Sequence, residues 1–559
     1  MKTTLTFFLT LMMVLVMLSS AQLSLAAGGS SATRILHNGK IFTGDPNQKW
    51  AEAVVMHNRF IVYVGNNASA LQFANAHTEI VDLQGNLVIP GINDSHVHIL
   101  PFNPNGPMLI GLDAMLGPGP TLDQLLDVIQ QATYIYPAGT WLYASIGGIV
   151  YDDPQVIRYL LDQIAPNHPV VLPYMHSMIV NSLALQTVGI SETEPDCFGG
   201  VYDRFPGTNI LTGKFHEYAM YNFVRRITMN IPAEELRQLY GRYMNAAVSL
   251  GVTSAQDIPV GLDIEKAIEV LDGMDLNMRI RVINTPMLPE DVAHWSPGKY
   301  AGPFWSMLTA TGVKWFNDGT VIERNGAVTI PYCDRPGWYG LFNFPLDVYQ
   351  LMVAEGLKSP AEVQQRLFHT FGDRAVDNLL EALGNVAPDR KWRKHRVQLI
   401  HGDMIRPEHI QSIKNKGLIV VQNPTHLASP QLMLLRYGPE RLAELQPLKS
   451  LLEAGIPLAL GTDGIGDIIS PFVDIMFAVI HPTRPSEALT VEQAVTAYTS
   501  GSAYAEFKED HKGKLKPGML ADLAVLSQDI FSIPPDQIAG TFSLLTIVDG
   551  KIVFNAGIL

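Results

Sequence analysis

The chain has 559 residues, 47% of them hydrophobic and 16% charged, with a formal net charge of −14. That balance is ordinary for a folded protein and unlike a disordered one, and the length exceeds one compact core unless that core is a large closed barrel. The negative charge, with no Lys/Arg-rich run anywhere in the chain, excludes nucleic acid as a partner, because phosphate binding needs a basic footprint.

The chain opens with Lys2, an apolar run from Leu5 to Leu18 interrupted only by threonines, and small residues leading to Ser24-Leu25-Ala26-Ala27. This is the layout of a secretory signal peptide over residues 1–27, cleaved after Ala26 or Ala27, and the mature protein is expected to be exported, periplasmic or secreted. An uncleaved anchor is the competing reading, but the run is shorter than the roughly 20 residues a spanning helix needs. No later stretch is long and apolar enough to span, so no membrane association is expected after cleavage. Cys197 and Cys333 are the only cysteines, expected as two buried free thiols, although an oxidising compartment permits one bridge.

From Arg34 to Pro90 short β-like runs alternate with turns, as in Arg34–Gly39, Phe60–Gly65 and Leu87–Pro90. The C-terminus has the same texture in Ala521–Leu526 and Leu545–Val553. Residues 33–90 and 510–559 therefore predict one small composite β-sandwich domain built from both chain ends. Between them, over 91–509, apolar strand-like runs (Val170–Leu172, Arg279–Ile283, Val397–Ile400, Leu418–Val421, Pro457–Leu460) are separated by helical patterns such as Ala233–Leu250 and Arg374–Leu383. Continuous apolar strands alternating with helices predict a parallel sheet buried on both faces, and at this length a TIM-type (β/α)8 barrel. No Gly-x-Gly-x-x-Gly opens a helix after the first central strand, which speaks against a dinucleotide-binding fold.

The chemistry gathers where apolar strands stop. Val88–His98 ends in His96 and His98, two residues apart and so on one side of a strand. A barrel keeps its active site at that end; a pair of surface loop histidines is the alternative. Lys314, His369, His401 and Asp463 each stand at or just past another apolar run. Imidazole and carboxylate ligands of this kind suit zinc, iron or manganese.

Three motifs make the pattern specific. Pro90-Gly91 through His98 resembles the Pro-Gly-hydrophobic-x-Asp-Ser-His-x-His signature of the amidohydrolase superfamily. His369 followed by Gly372-Asp373-Arg374-Ala375 resembles the His-x-x-Gly-Asp-Arg-Ala motif of its family-3 branch, which includes N-substituted formamide deformylase-like proteins. Gly513–Leu523 resembles that family's return into its β-sandwich. The resemblance runs from about Arg34 to the C-terminus.

It implies a metal-dependent hydrolase of carbon–nitrogen bonds other than peptide bonds, acting on a small amide-type substrate. His96, His98 and Asp463 would hold a first divalent ion, zinc by preference. Lys314, carboxylated by CO2, would bridge to a second held by His369 and His401, and Asp463 would be the general base. Without carboxylation the resemblance implies a single ion on His96, His98, His369 and Asp463, with His401 as a hydrogen-bonding electrophile. His176 and Asn181 resemble the branch's His-x-x-x-x-Asn segment, Glu217 its Gly-x-x-x-Glu, and His426 a histidine on its seventh strand, all as substrate-binding positions. Asp94 and Asp373 are expected to orient histidines. The sequence departs from the pattern around Asn423, an extra residue before Pro-x-His, and at Thr462-Asp463-Gly464-Ile465, where Ser-Asp-Trp/Ala-Pro is usual. The same site admits hydrolytic deamination or cyclic-amide opening. A non-catalytic exported binding protein is the reading from another class, and the presence of every expected ligand type argues against it. A homo-oligomer is compatible with the sequence. The aromatic stretches Pro303–Trp305 and Pro336–Tyr339 are expected to pack rather than form a lid.

Overall fold

The computed structural model describes residues 32–559 except 294 and 468. The expected signal segment, 1–27, lies outside the described residues. No helix among the described residues is long and apolar enough to cross a membrane.

Eight strands form one parallel sheet: β1 Ile92–Val97, β2 Val252–Asp257, β3 Arg279–Asn284, β4 Leu308–Phe316, β5 Arg366–Thr370, β6 Gln398–His401, β7 Ile419–Gln422 and β8 Leu458–Leu460. Neighbours follow chain order throughout, and every residue of β1, β2, β3, β5, β6, β7 and β8 is buried. That is why these strands read as continuous apolar runs and not as alternating ones. The sheet closes past the end of β8, where Asp463 N–H donates to His96 O (2.8 Å), His98 N–H to Gly464 O (2.9 Å) and Gly466 N–H to His98 O (2.9 Å).

Helices lie between the strands. Ala233–Ser249 buries Leu236, Tyr240, Tyr243, Met244 and Ala247, spaced three and four apart, so one face meets the barrel. Asp373–Val386 buries Val376, Leu379 and Leu383 in the same way. Both expected helices are therefore present, each with ends within a few residues of its reading.

The stretch between β1 and β2 departs from simple alternation. Val170–Tyr174 is a strand, but it belongs to a separate six-stranded sheet with Met108–Ile110, Leu142–Ala144, Ser177–Val180, Gly200–Arg204 and Leu211–Glu217. Its pairing with Ser177–Val180 is antiparallel, across a turn at Met175, where φ is 51°. A short apolar run looks alike in either sheet, so periodicity could not separate the two.

The chain ends meet as expected from the sequence. A four-stranded sheet of Arg34–His37, Ala53–His57, Phe60–Gly65 and Glu79–Asp82 faces a six-stranded one. The second sheet takes Lys40–Phe42, Trp50–Ala51 and Leu87–Pro90 from the N-terminal side and Leu523–Leu526, Ser543–Val548 and Lys551–Asn555 from the C-terminal side. Leu36, Val54 and Ile61 share a core with Val88, Leu523 and Ile547. This sandwich aims β1: Leu87–Pro90 runs directly into it through Gly91, where a Cβ would lie 2.2 Å from Thr253 Oγ1. Arg279 of β3 locks the two units together, with Nε 2.7 Å and Nη2 3.2 Å from the carboxylate oxygens of Asp522 and Nη2 2.9 Å from Asp549 Oδ1.

The cysteines are free, but neither is buried: Cys197 is half-buried beside the Tyr202 hydroxyl and Cys333 is exposed. Phe304 stacks on His511 at 3.9 Å between ring centroids and Trp338 donates to Arg324 O, so both aromatic stretches pack.

Candidate metal centre

The strand ends bring His96, His98, Lys314, His369, His401 and Asp463 to one place. Ring centroids lie 5.3 Å apart for His96–His98, 4.9 Å for His96–His401 and 4.5 Å for His369–His401. Asp463 Oδ1 is 3.1 Å from His96 Nε2 and 3.4 Å from His98 Nε2, and Lys314 Nζ is 3.1 Å from His96 Nε2. Local backbone makes this convergence. His401 and Asp463 adopt left-handed φ of 67° and 53°, uncommon for residues with a Cβ and a form of strain that collects at functional sites. A Cβ at Gly461 would lie 2.5 Å from His96 N, so only glycine lets β8 approach β1 this closely.

Hydrogen bonds fix which nitrogen faces the centre. His98 Nδ1–H donates to Ile258 O (2.7 Å), which leaves the lone pair on Nε2, turned to Asp463 Oδ1. His369 Nε2–H donates to Gly319 O (3.2 Å), leaving Nδ1 buried with no partner. His401 Nδ1–H donates to Asn423 Oδ1 (2.7 Å), and Asn423 Nδ2–H donates in turn to Gly461 O (2.6 Å). The residue at which the sequence departs from the family pattern is thus the one that orients His401.

Asp94 does not orient an imidazole. Its carboxylate accepts from Thr462 N–H and Oγ1–H and from the His96 backbone N–H, tying β1 to the loop after β8. Asp373 holds Thr329, not a histidine.

Protonation follows burial. Desolvation, helped by Lys314, lowers His96 to about 3, and desolvation holds His369 and His401 well below their usual range. Burial would raise Asp463, but its imidazole neighbours, His96 first and then His426, keep its carboxyl well below the usual carboxylate range. Burial brings Lys314 down to about 7. An ion pair of Lys314 with Asp318 is not formed: Asp318 accepts instead from the N–H groups of Ala327, Phe371 and Gly372.

Neutral imidazoles with an ionised carboxylate are the state that binds a metal. In a tetrahedral zinc site with ligands at about 2.1 Å, ligand atoms stand about 3.4 Å apart. The 3.1 and 3.4 Å separations around Asp463 Oδ1 meet that spacing, and a lone pair facing a carboxylate oxygen at His98 calls for a cation between them. The unpartnered Nδ1 of His369 supplies one further donor. These residues fit a divalent ion.

A cavity of about 860 Å³ opens above the centre, with His98, His176, His369, His401, His426 and Asp463 at its base. His426 donates from Nδ1 to Asp403 Oδ2 (2.8 Å), and its Nε2 is 3.3 Å from Asp463 Oδ2. Burial would lower His426, but Asp403 and Asp463 outweigh it and raise it to about 10. Asp403, positioned by Gln446, was not singled out from the sequence; its one signal is its place two residues after His401.

His176 lines the cavity, while Glu217 stands behind it, fully enclosed, with Oε2 3.0 Å from His176 Nδ1 and 3.1 Å from Asn343 Nδ2. Glu323, missed in the sequence, joins that pair. Asn181 is not brought to the site. Its Oδ1 caps the helix Ser182–Val188 by accepting from Ala184 N–H (2.9 Å), and it also accepts from Val170 N–H (3.0 Å).

The chain is similar over most of its length to several known proteins. The putative amidohydrolase YtcJ of Bacillus subtilis (strain 168) is 26% identical over 93% of this chain and 99% of its own length. The N-substituted formamide deformylase of Arthrobacter pascens is 26% identical, with 93% and 97% covered. Among solved structures, an uncharacterized metal-dependent hydrolase from Pyrococcus horikoshii OT3 superposes with a TM-score of 0.69 at 20% identity, over 90% of this chain and 99% of its own, and so shares the fold. The sequence model of the amidohydrolase family matches residues 79–554. The chain therefore belongs to the amidohydrolase family.

Proposed function

We propose that this protein is a divalent-metal-dependent hydrolase of carbon–nitrogen bonds in small non-peptide amides, with Asp463 as general base. The observation that carries the reading is the meeting of His96 Nε2, His98 Nε2 and Asp463 Oδ1 within 3.1–3.4 Å. A bound divalent ion, zinc by donor type, lowers the pKa of a water towards about 7 and polarises the amide carbonyl.

The chain's own residues do the rest. Asp463 is divided between two tasks: Oδ1 faces the histidines, and Oδ2, beside His426, is the atom that receives the proton from water and returns it to the leaving nitrogen. The Asp403–His426 pair fixes Oδ2 and supplies positive charge next to the scissile carbonyl. His401, oriented by Asn423, presents Nε2 to a second ion or directly to the carbonyl oxygen. Lys314, buried beside His96, would become a further carboxylate-type metal ligand if its Nζ added CO2 and gave up a proton.

The opening run Leu5–Leu18 supports export and removal of residues 1–27. The functional test is a panel of linear N-acyl and N-formyl amines and cyclic ureas, given to metal-loaded protein and assayed for amine and ammonia. Amine release from linear amides is expected. Ammonia from deamination, or ring opening alone, would replace this reading with its alternatives, and no turnover of any kind would overturn it.

A further inference from the structure

The base of the cavity is polar, and its walls are mostly apolar. The charged lining residues outside the base, Asp113, Arg242 and Asp467, are all exposed and so stand at the mouth. Between mouth and base the surface includes polar groups such as Asn103, Tyr221, Tyr243 and Ser429, but it is built mainly of Met, Leu, Ile, Val and Phe side chains. Four of these are methionines, Met108, Met115, Met175 and Met433, unbranched side chains that adapt to apolar groups of varied shape. Leu239 stands on this wall, on the cavity face of the helix Ala233–Ser249.

The volume of about 860 Å³ lies near the top of the range for small-molecule sites. A compact polar ring such as a cyclic urea would engage the base and leave the apolar walls without partner atoms, forfeiting their dispersion contacts.

We infer that the substrate is an amide carrying a long or bulky apolar substituent, which fills the space between the polar base and the charged mouth. This rests on the reading of the base as an amide-hydrolysing centre. Burial of each added methylene strengthens binding about fourfold until the arm reaches the mouth. Because the contacts are apolar, the heat capacity of binding becomes more negative along the series.

The test uses the full mature chain loaded with zinc and two homologous series, N-formyl-n-alkylamines and N-methyl-n-alkanamides, from one to ten carbons in the arm. Affinity and heat capacity are measured by calorimetry, and hydrolysis is followed separately. A stepwise gain of several-fold per methylene in either series is expected, and the series that shows it tells which side of the amide carries the arm. Affinity flat or falling with length in both series would overturn the inference, whatever the turnover. Rising affinity without hydrolysis would uphold it while overturning the hydrolytic reading beneath it. Leu239→Trp, which narrows the wall at a half-buried position, moves the optimum to a shorter arm. An optimum unmoved in folded L239W would also count against the inference, and the wild-type series decides the matter if that variant does not fold.

Discussion

Asn423→Leu removes a side chain that the structure makes responsible for the pose of His401. The amide makes two buried hydrogen bonds, from His401 Nδ1–H at 2.7 Å and to Gly461 O at 2.6 Å. Leucine has similar volume but neither function. It leaves an imidazole N–H and a backbone carbonyl unpaired, at a cost of about 1–3 kcal/mol each. The imidazole no longer has a reason to keep its lone pair on Nε2, and losing such an outer partner weakens metal binding about 10–100-fold. Competition against a chromophoric chelator measures this directly. Asn423→Asp is the control, because a carboxylate still accepts from Nδ1–H while facing Gly461 O without a donor. It should lose stability and keep most of its metal affinity. Wild-type affinity in a folded N423L would refute the argument that Asn423 orients His401.

Asp463→Asn should lower kcat about 10²–10⁴-fold, the usual worth of a positioned base, and weaken metal binding as well; turnover close to wild type would remove Asp463 from the mechanism. Asp522→Ala leaves Arg279, which is 4% exposed, with Asp549 as its remaining carboxylate and should cost at most about 3–5 kcal/mol, seen as a lower unfolding midpoint; an unchanged midpoint would contradict a locking role. Asp474 is enclosed beside Tyr498 and Thr425, and burial raises it to about 7. Its folded value lies above its unfolded one, so the folded state binds the extra proton and loses stability as pH rises from about 4 to 7. Asp474→Asn should therefore gain on wild type between pH 5 and 8 in urea unfolding, and a gain independent of pH would show that the carboxyl is not held protonated.

Much of the site was legible because barrel strands buried on both faces read as apolar runs, and the polar residues that end them stand out. His96, Lys314, His369, His401 and Asp463 were found in that way, and the structure gathers them all. What lay across space was harder to read. Asn181 sits in a motif but spends both oxygen contacts on backbone N–H groups. Asp403 and Glu323 matter only through partners on other elements, which spacing along the chain does not reveal. The run Val170–Leu172 reads as a barrel strand because an apolar strand carries no mark of the sheet it joins. Cys333 was expected inside because cysteine is so often buried, and it lies instead on the exposed segment that donates its backbone N–H to Arg436 O.

The measurement closest to the central claim is the metal content of the purified protein, wild type and His96→Ala side by side, by elemental mass spectrometry together with amide turnover. One or two divalent ions per chain in wild type, and a joint loss of metal and turnover in H96A, are what the convergence of His96, His98 and Asp463 predicts. Wild-type protein that turns over amides without a transition metal, or H96A that keeps its full complement and rate, would contradict it.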